Sequence, residues 1–251
     1  MAATVSSDGG FGSPVQLWHF TRAGPQPFGH PLGSANGGPG SVVFSPDGTK
    51  LAVIGEQDYS AGADGATIFV EAGPVQLWNT RTGKMIGSAF ADVNGGAYQA
   101  AFSPDGTMLV TLGGDGAARL WNAVTRRQIG SPINGAAYSA AFSPDGKVLA
   151  TGGIDSKARL WDIATRQQIG SPISSGTTPG PIPVAFLRNG TVLATEDGST
   201  EQLWAVGYLV DPLSRLCSQA GGSFTPSEWA QYVPPGPAYQ NGCLQPHPAI
   251  T

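Results

Sequence analysis

Chemistry requires nucleophiles, proton carriers or metal ligands that converge, and this chain is poor in all three. Its 251 residues include three histidines, His19, His30 and His247, and two cysteines, Cys217 and Cys243. A structural zinc site takes four ligands. The two cysteines and His247 make three, without the close paired spacing such sites use. Asp58 and Asp64 are candidates for a cation, but the ligand spacing of a calcium loop is missing. No Gly-x-Ser-x-Gly, His-Glu-x-x-His, Gly-rich phosphate loop or Cys-x-x-Cys occurs. Asn189-Gly190-Thr191 has the form of a glycosylation acceptor. It stands where other parts of the chain carry Pro-Asp-Gly, and reads as a turn. The expectation is a protein that is not an enzyme and has no catalytic, cofactor-binding or metal-binding residue.

The composition says what scaffold would carry any site. There are 37 glycines and 21 prolines, where average usage would give about 18 and about 13. A folded chain uses that many breakers in turns, which points to an all-β protein. The formal net charge of −4 leaves nothing to neutralise a run of phosphates, which argues against nucleic acid as a partner. No apolar run approaches the roughly 20 residues of a membrane helix. The opening MAATVSSDGG has neither a basic end nor an apolar stretch, so it reads as no secretory signal, and a cytoplasmic location is expected.

Tryptophan reveals a repeat. Trp18, Trp78, Trp121, Trp161 and Trp204 each follow a leucine, as QLWH, QLWN, RLWN, RLWD and QLWA. The last three steps are 43, 40 and 43 residues and the first is 60. Between them, FSPDG recurs from Phe44, Phe102 and Phe142, weakening to FLRNG from Phe186. A third marker follows the tryptophans: IGSAF from Ile86, then IGSPI from Ile129 and Ile169. Each unit reads as four short strands with period-2 alternation, near 138–142, 147–152, 157–161 and 168–173 in the best copy. Such a unit cannot bury both faces alone, so neighbours must stack, as in a propeller.

At these markers the sequence resembles the WD-repeat β-propeller family over residues 14–204, with Trp161-Asp162 the one exact Trp-Asp pair. The resemblance implies four-stranded antiparallel blades and a turn aspartate between second and third strands at Asp115, Asp155 and Asp197. It also implies a Gly-His dipeptide whose histidine bonds that aspartate; here Ile133 takes the histidine's place, and Gly29-His30 aligns with the IGSPI marker instead. Less rigid blades follow, with Thr111, Thr151 and Thr195 as substitute partners for the aspartates. About four blades are counted, the array starting on a third strand at Val15–Trp18. Either 28–32 completes the last blade and closes a small ring, or the chain is an open arc whose earlier blades, and any effector domain, are missing.

Two segments depart from the repeat. An insertion at 55–73 lengthens the loop between second and third strands of the first full blade, on the face where such propellers meet partners. It carries Asp58, Tyr59, Asp64, Phe69 and Glu71, candidate contacts for a protein partner, and with Asp115, Asp155 and Asp197 it would form an acidic rim suited to a basic one. Residues 207–251 form a separate tail after the propeller of 1–206. Asp211-Pro212 and Thr225-Pro226-Ser227-Glu228 read as starts of short helices. Cys217 and Cys243 allow two readings, a disulfide pinning the chain end or two reduced thiols. The tail resembles the cysteine-bearing end of bacterial multidomain WD-repeat regulators. That implies a protein-interaction scaffold or sensor module in signalling. The rival readings are a propeller hydrolase or lyase, and a small-ligand receptor using a central channel.

Overall fold

The computed structural model describes residues 2–5, 15–32, 39–61, 68–90, 96–135, 137–176, 180–197 and 200–207, with the backbone alone at some positions, including 56–61 and 68–72. They form five successive antiparallel units. The first pairs β1 (Ala2–Val5), β2 (Val15–Thr21) and β3 (Gly24–Leu32) in that order. The second holds β4 (Pro39–Phe44), β5 (Lys50–Ala61) and β6 (Ile68–Asn79). The third holds β7 (Ala97–Phe102), β8 (Met108–Gly113), β9 (Ala117–Asn122) and β10 (Ile133–Asn134). One pairing, Gly73 with Ala97, joins these two units into a seven-stranded sheet. The fourth unit is β11 (Ala137–Phe142), β12 (Val148–Gly153), β13 (Lys157–Asp162) and β14 (Gln168–Ser174), close to the expected strands. The fifth is β15 (Val184–Leu187), β16 (Val192–Asp197) and β17 (Thr200–Ala205).

The repeated markers are turn and bulge chemistry. In each Ser-Pro-Asp-Gly turn the serine hydroxyl donates to the aspartate, at 2.5 Å from Ser45 to Asp47 and 2.6 Å from Ser103 to Asp105 and from Ser143 to Asp145. The same hydroxyl accepts the N–H of Lys50, Met108 or Val148. Gly48, Gly106 and Gly146 close these turns at φ near +70°, a region that glycine enters without cost. In the third marker, Gly29, Gly87, Gly130 and Gly170 also take positive φ. At Gly29 and Gly170 they sit where the register of the outer strand shifts, which marks a bulge.

The core consists of four seams, each between successive units. Strand alternation builds them: Leu51 and Val53 bury against the first unit, Ala52 and Ile54 against the third. Trp121 and Trp161 are deeply buried in the seams their units share with the preceding ones, whereas Trp78 and Trp204 are half-buried.

Four expectations are corrected. The array does not start on a third strand, because Ala2–Val5 pairs with Val15–Trp18 and supplies the second strand of that unit. Residues 28–32 do not complete the last unit: Phe28 pairs with Leu17 and Leu32 with Val15. The insertion at 55–73 is not simply a loop, since β5 and β6 run on through it, pairing Glu56 with Ala72 and Ala61 with Ile68. Backbone hydrogen bonding thus continues the ladder into a two-stranded arm. Asp197 ends β16, opposite Thr200, and so stands at the strand end and not inside the connection as Asp115 and Asp155 do.

Candidate functional site

The repeat tryptophans are tethered by threonines on the neighbouring second strand. The indole N–H of Trp121 donates to Thr111, and that of Trp161 to Thr151, both at 2.8 Å. Trp18 bonds Thr4 at 2.8 Å and Trp204 bonds Thr195 at 3.0 Å. The threonines therefore serve the tryptophans, not the turn aspartates, because the side chain two residues beyond the tryptophan's cross-strand partner points at the indole. In the second unit that place belongs to Val53, which lies opposite Gln76. The Trp78 indole N–H is buried and has no partner among the described residues.

The aspartates pair with arginines four residues on. Asp115 takes two bonds from Arg119, at 3.0 and 2.6 Å, and Asp155 two from Arg159, at 3.1 and 2.6 Å. These bidentate pairs occupy the role the resemblance gave to histidine, so the polar stiffening expected to be missing is supplied by other residues. Gly113 and Gly153 make room: a Cβ on either would collide with the carboxylate that follows. The Arg119 guanidinium holds the Asp115 carboxyl below its usual range, against some desolvation, and Arg159 does the same for Asp155. Arg159 also donates to the Gly135 carbonyl at 3.2 Å, linking the fourth unit to the third. Closed pairs of this kind are neutral, so Asp115 and Asp155 do not build an acidic rim.

Beside the pairs lies a patch that sequence reasoning missed. Tyr98 and Tyr138 open the first strands of the third and fourth units, and their rings lie 6.1 Å apart. The Tyr98 hydroxyl donates to the Ala137 carbonyl of the next unit. Burial, with smaller contributions from Tyr138 and Asp115, pushes the Tyr98 phenol up to about 12. Tyr138 is 45 % exposed, and Ile154, in the turn that carries Asp155, is 58 % exposed. The signals were present in the chain, as AYQAAF against AYSAAF and as the aligned Asp115-x-x-x-Arg119 and Asp155-x-x-x-Arg159 just before the repeat tryptophans.

The other candidates fall differently. Asp58, Tyr59, Phe69 and Glu71 lie on the arm strands, but their side chains, like that of Asp197, are outside the described residues. Asp64, Cys217, Cys243 and the tail helices lie wholly outside them. His19 stacks on Phe28, with ring centroids 4.1 Å apart. Among the described residues no three His, Cys, Asp or Glu side chains gather as a metal site would require, and no helix is long and apolar enough to cross a membrane.

This architecture, strand-built units stacked through tryptophan seams, defines a class of repeat protein. Residues 90–122 and 128–162, in the third and fourth units, match the family model described as WD domain, G-beta repeat. Over 99 residues it is 33 % identical to WD repeat-containing protein 1 of Xenopus tropicalis, an alignment covering 37 % of this chain and 14 % of that protein. The chain thus matches a minor part of the length of this relative.

Proposed function

We propose that the chain is a protein-interaction platform whose contact surface is the edge bearing Tyr98, Tyr138 and Ile154. One observation carries this reading: the Tyr98 and Tyr138 rings meet where two units stack, at the sheet end where Gly153, next to the exposed Ile154, pairs with Ala137 and where the Asp–Arg pairs are already closed. Aromatic side chains supply interface area at little conformational cost, and neutral rims select by shape over net charge. WD repeats are in general used for protein–protein scaffolding, which agrees with the patch. The finer reading, a sensor or scaffold part of a bacterial signalling protein, rests on the resemblance of the tail. The arm at 55–73 remains a second candidate contact on the same edge, through its aromatic residues Tyr59 and Phe69.

The test compares variants at opposite ends of the sheets. Tyr138→Ala and Ile154→Asp should reduce capture of partners from a source-cell lysate. Val124→Asp, at an exposed position in the turn after β9, should leave capture intact. If all three variants retained the same partners at unchanged melting temperature, the patch would not be the contact surface.

A further inference from the structure

The face that each unit turns toward its successor carries a leucine on the third strand. Leu17, Leu77, Leu120 and Leu160 hold this position, none more than 2 % exposed. The fifth unit repeats it as Leu203, opposite Ala194 just as Leu160 is opposite Ala150. Leu203 is 61 % exposed, and Leu187, on the same face by strand alternation, is 43 % exposed. An apolar sheet face built like four covered ones is here bare among the described residues. Repeat arrays end in caps that give such a face a partner.

We propose that residues 208–251 of this same chain cover the Leu203 face, acting as the cap of the array. Three observations single out this occupant. In the four seams the leucine face is met by a tryptophan and a leucine from the next unit: Trp78 with Leu51, Trp121 with Leu109, Trp161 with Leu149, and Trp204 with Leu193. The first sheet of a second copy is a poor substitute, because Ala2 stands opposite Trp18 where those units have leucine. Residues 208–251 contain Leu213, Leu216 and Trp229, the one tryptophan outside the repeat series. The chain also enters this segment at Gly207, directly after β17, whose side chains form the face. A tether that short holds a segment at millimolar effective concentration. Finally, Glu196 and Glu201 face each other across β16 and β17 on that same face, a like-charge pair that disfavours the strand pairing. Arg215 is the single Lys or Arg in the segment and would offset it.

The experiment uses the full chain. In a background with Cys217→Ser and Cys243→Ser, single cysteines are placed by Leu203→Cys, Leu187→Cys and, as an exposed reference, Ile154→Cys. Maleimide labelling is followed by mass spectrometry at several protein concentrations. Positions 203 and 187 should react about 10-fold more slowly than 154, independently of concentration. Adding Trp229→Ala should remove that protection. A photo-crosslinking residue at 203 should then join peptides from 208–251 of the same polypeptide. Equal labelling at all three positions would overturn the proposal, since the face would be open. Protection that grows with concentration, with crosslinks between two polypeptides, would overturn it in favour of a second copy. Position 187 keeps the test decisive if the Leu203 variant does not fold.

Discussion

The middle two units and the second unit are built on the same strand pattern but are held differently. In the third and fourth units every repeated polar position is used: Thr111 and Thr151 tether the tryptophans, and Arg119 and Arg159 clamp the turn aspartates. Arg126 and Arg166, at positive φ, lay their guanidinium groups over Gly87 and Gly130 of the preceding unit, where a Cβ would collide with them. The second unit has Val53 for the threonine, Gln76 for the clamping arginine and Gly83 for the stacking one. Its apolar seam is nonetheless complete, with Leu51, Val75 and Leu77 all buried. A complete apolar seam therefore forms without the threonine tether or the Asp–Arg pair. Of the three units compared, the one that lacks them carries the arm.

Breaking the tryptophan anchor should give the largest difference between the two regions. Trp121 is 2 % exposed and meets Phe90 edge-on at 5.4 Å. Trp121→Ala should cost about 3–5 kcal/mol by chemical denaturation and leave the Thr111 hydroxyl buried without its partner. Trp78→Ala should cost less, because Trp78 is half-buried and its N–H bonds nothing described. Equal costs would refute the distinction.

The clamp comes next. Arg119 is only 7 % exposed at its side chain while Asp115 is 34 % exposed. Asp115→Ala should therefore cost about 2 kcal/mol, less than a fully buried pair because water screens the carboxylate. The same clamp sets an acid dependence. The folded Asp115 and Asp155 carboxyls titrate below their ordinary value, so the unfolded chain takes up protons first. Their contribution is complete above about pH 5 and declines as the pH falls below about 4 toward the folded values. The Asp115→Ala and Asp155→Ala double variant should show a flatter loss of melting temperature over that range.

Two substitutions should make the second unit resemble the middle ones. Val53→Thr places a hydroxyl where Thr111 stands in the third unit and should stabilise by about 1 kcal/mol by giving the Trp78 N–H an acceptor. No gain in the urea midpoint would mean that the lost methyl packing cancels it. Gly83→Arg should have the smallest effect, within about 0.5 kcal/mol. Gly83 is at φ +64°, matching Arg126 at +58°, and a Cβ on Gly29 would meet nothing within 4 Å. A crystal structure should show the new guanidinium over Gly29.

Much of this was legible in one sequence. Ser-Pro-Asp-Gly, the Leu-Trp pairs and the Ile-Gly-Ser marker are local chemistry: each acts within a few residues, so its letters carry its geometry. The strands of the fourth unit could be placed to within a residue for the same reason. Pairing between segments remote in sequence was not legible. Ala2–Val5 is too short to show a period, and only its ladder with Val15–Trp18 makes it a strand. The partner of a threonine or a turn aspartate depends on which side chains the pleat brings to one face. Tyr98 and Tyr138 become neighbours only when two units stack. By itself the sequence determined the repeat, its turns and the alternation that makes each sheet two-faced, because these follow from residue type and spacing. Tertiary structure alone decided which seams close, which polar groups meet and which leucine face meets no other described unit, because those depend on what each face finds opposite it.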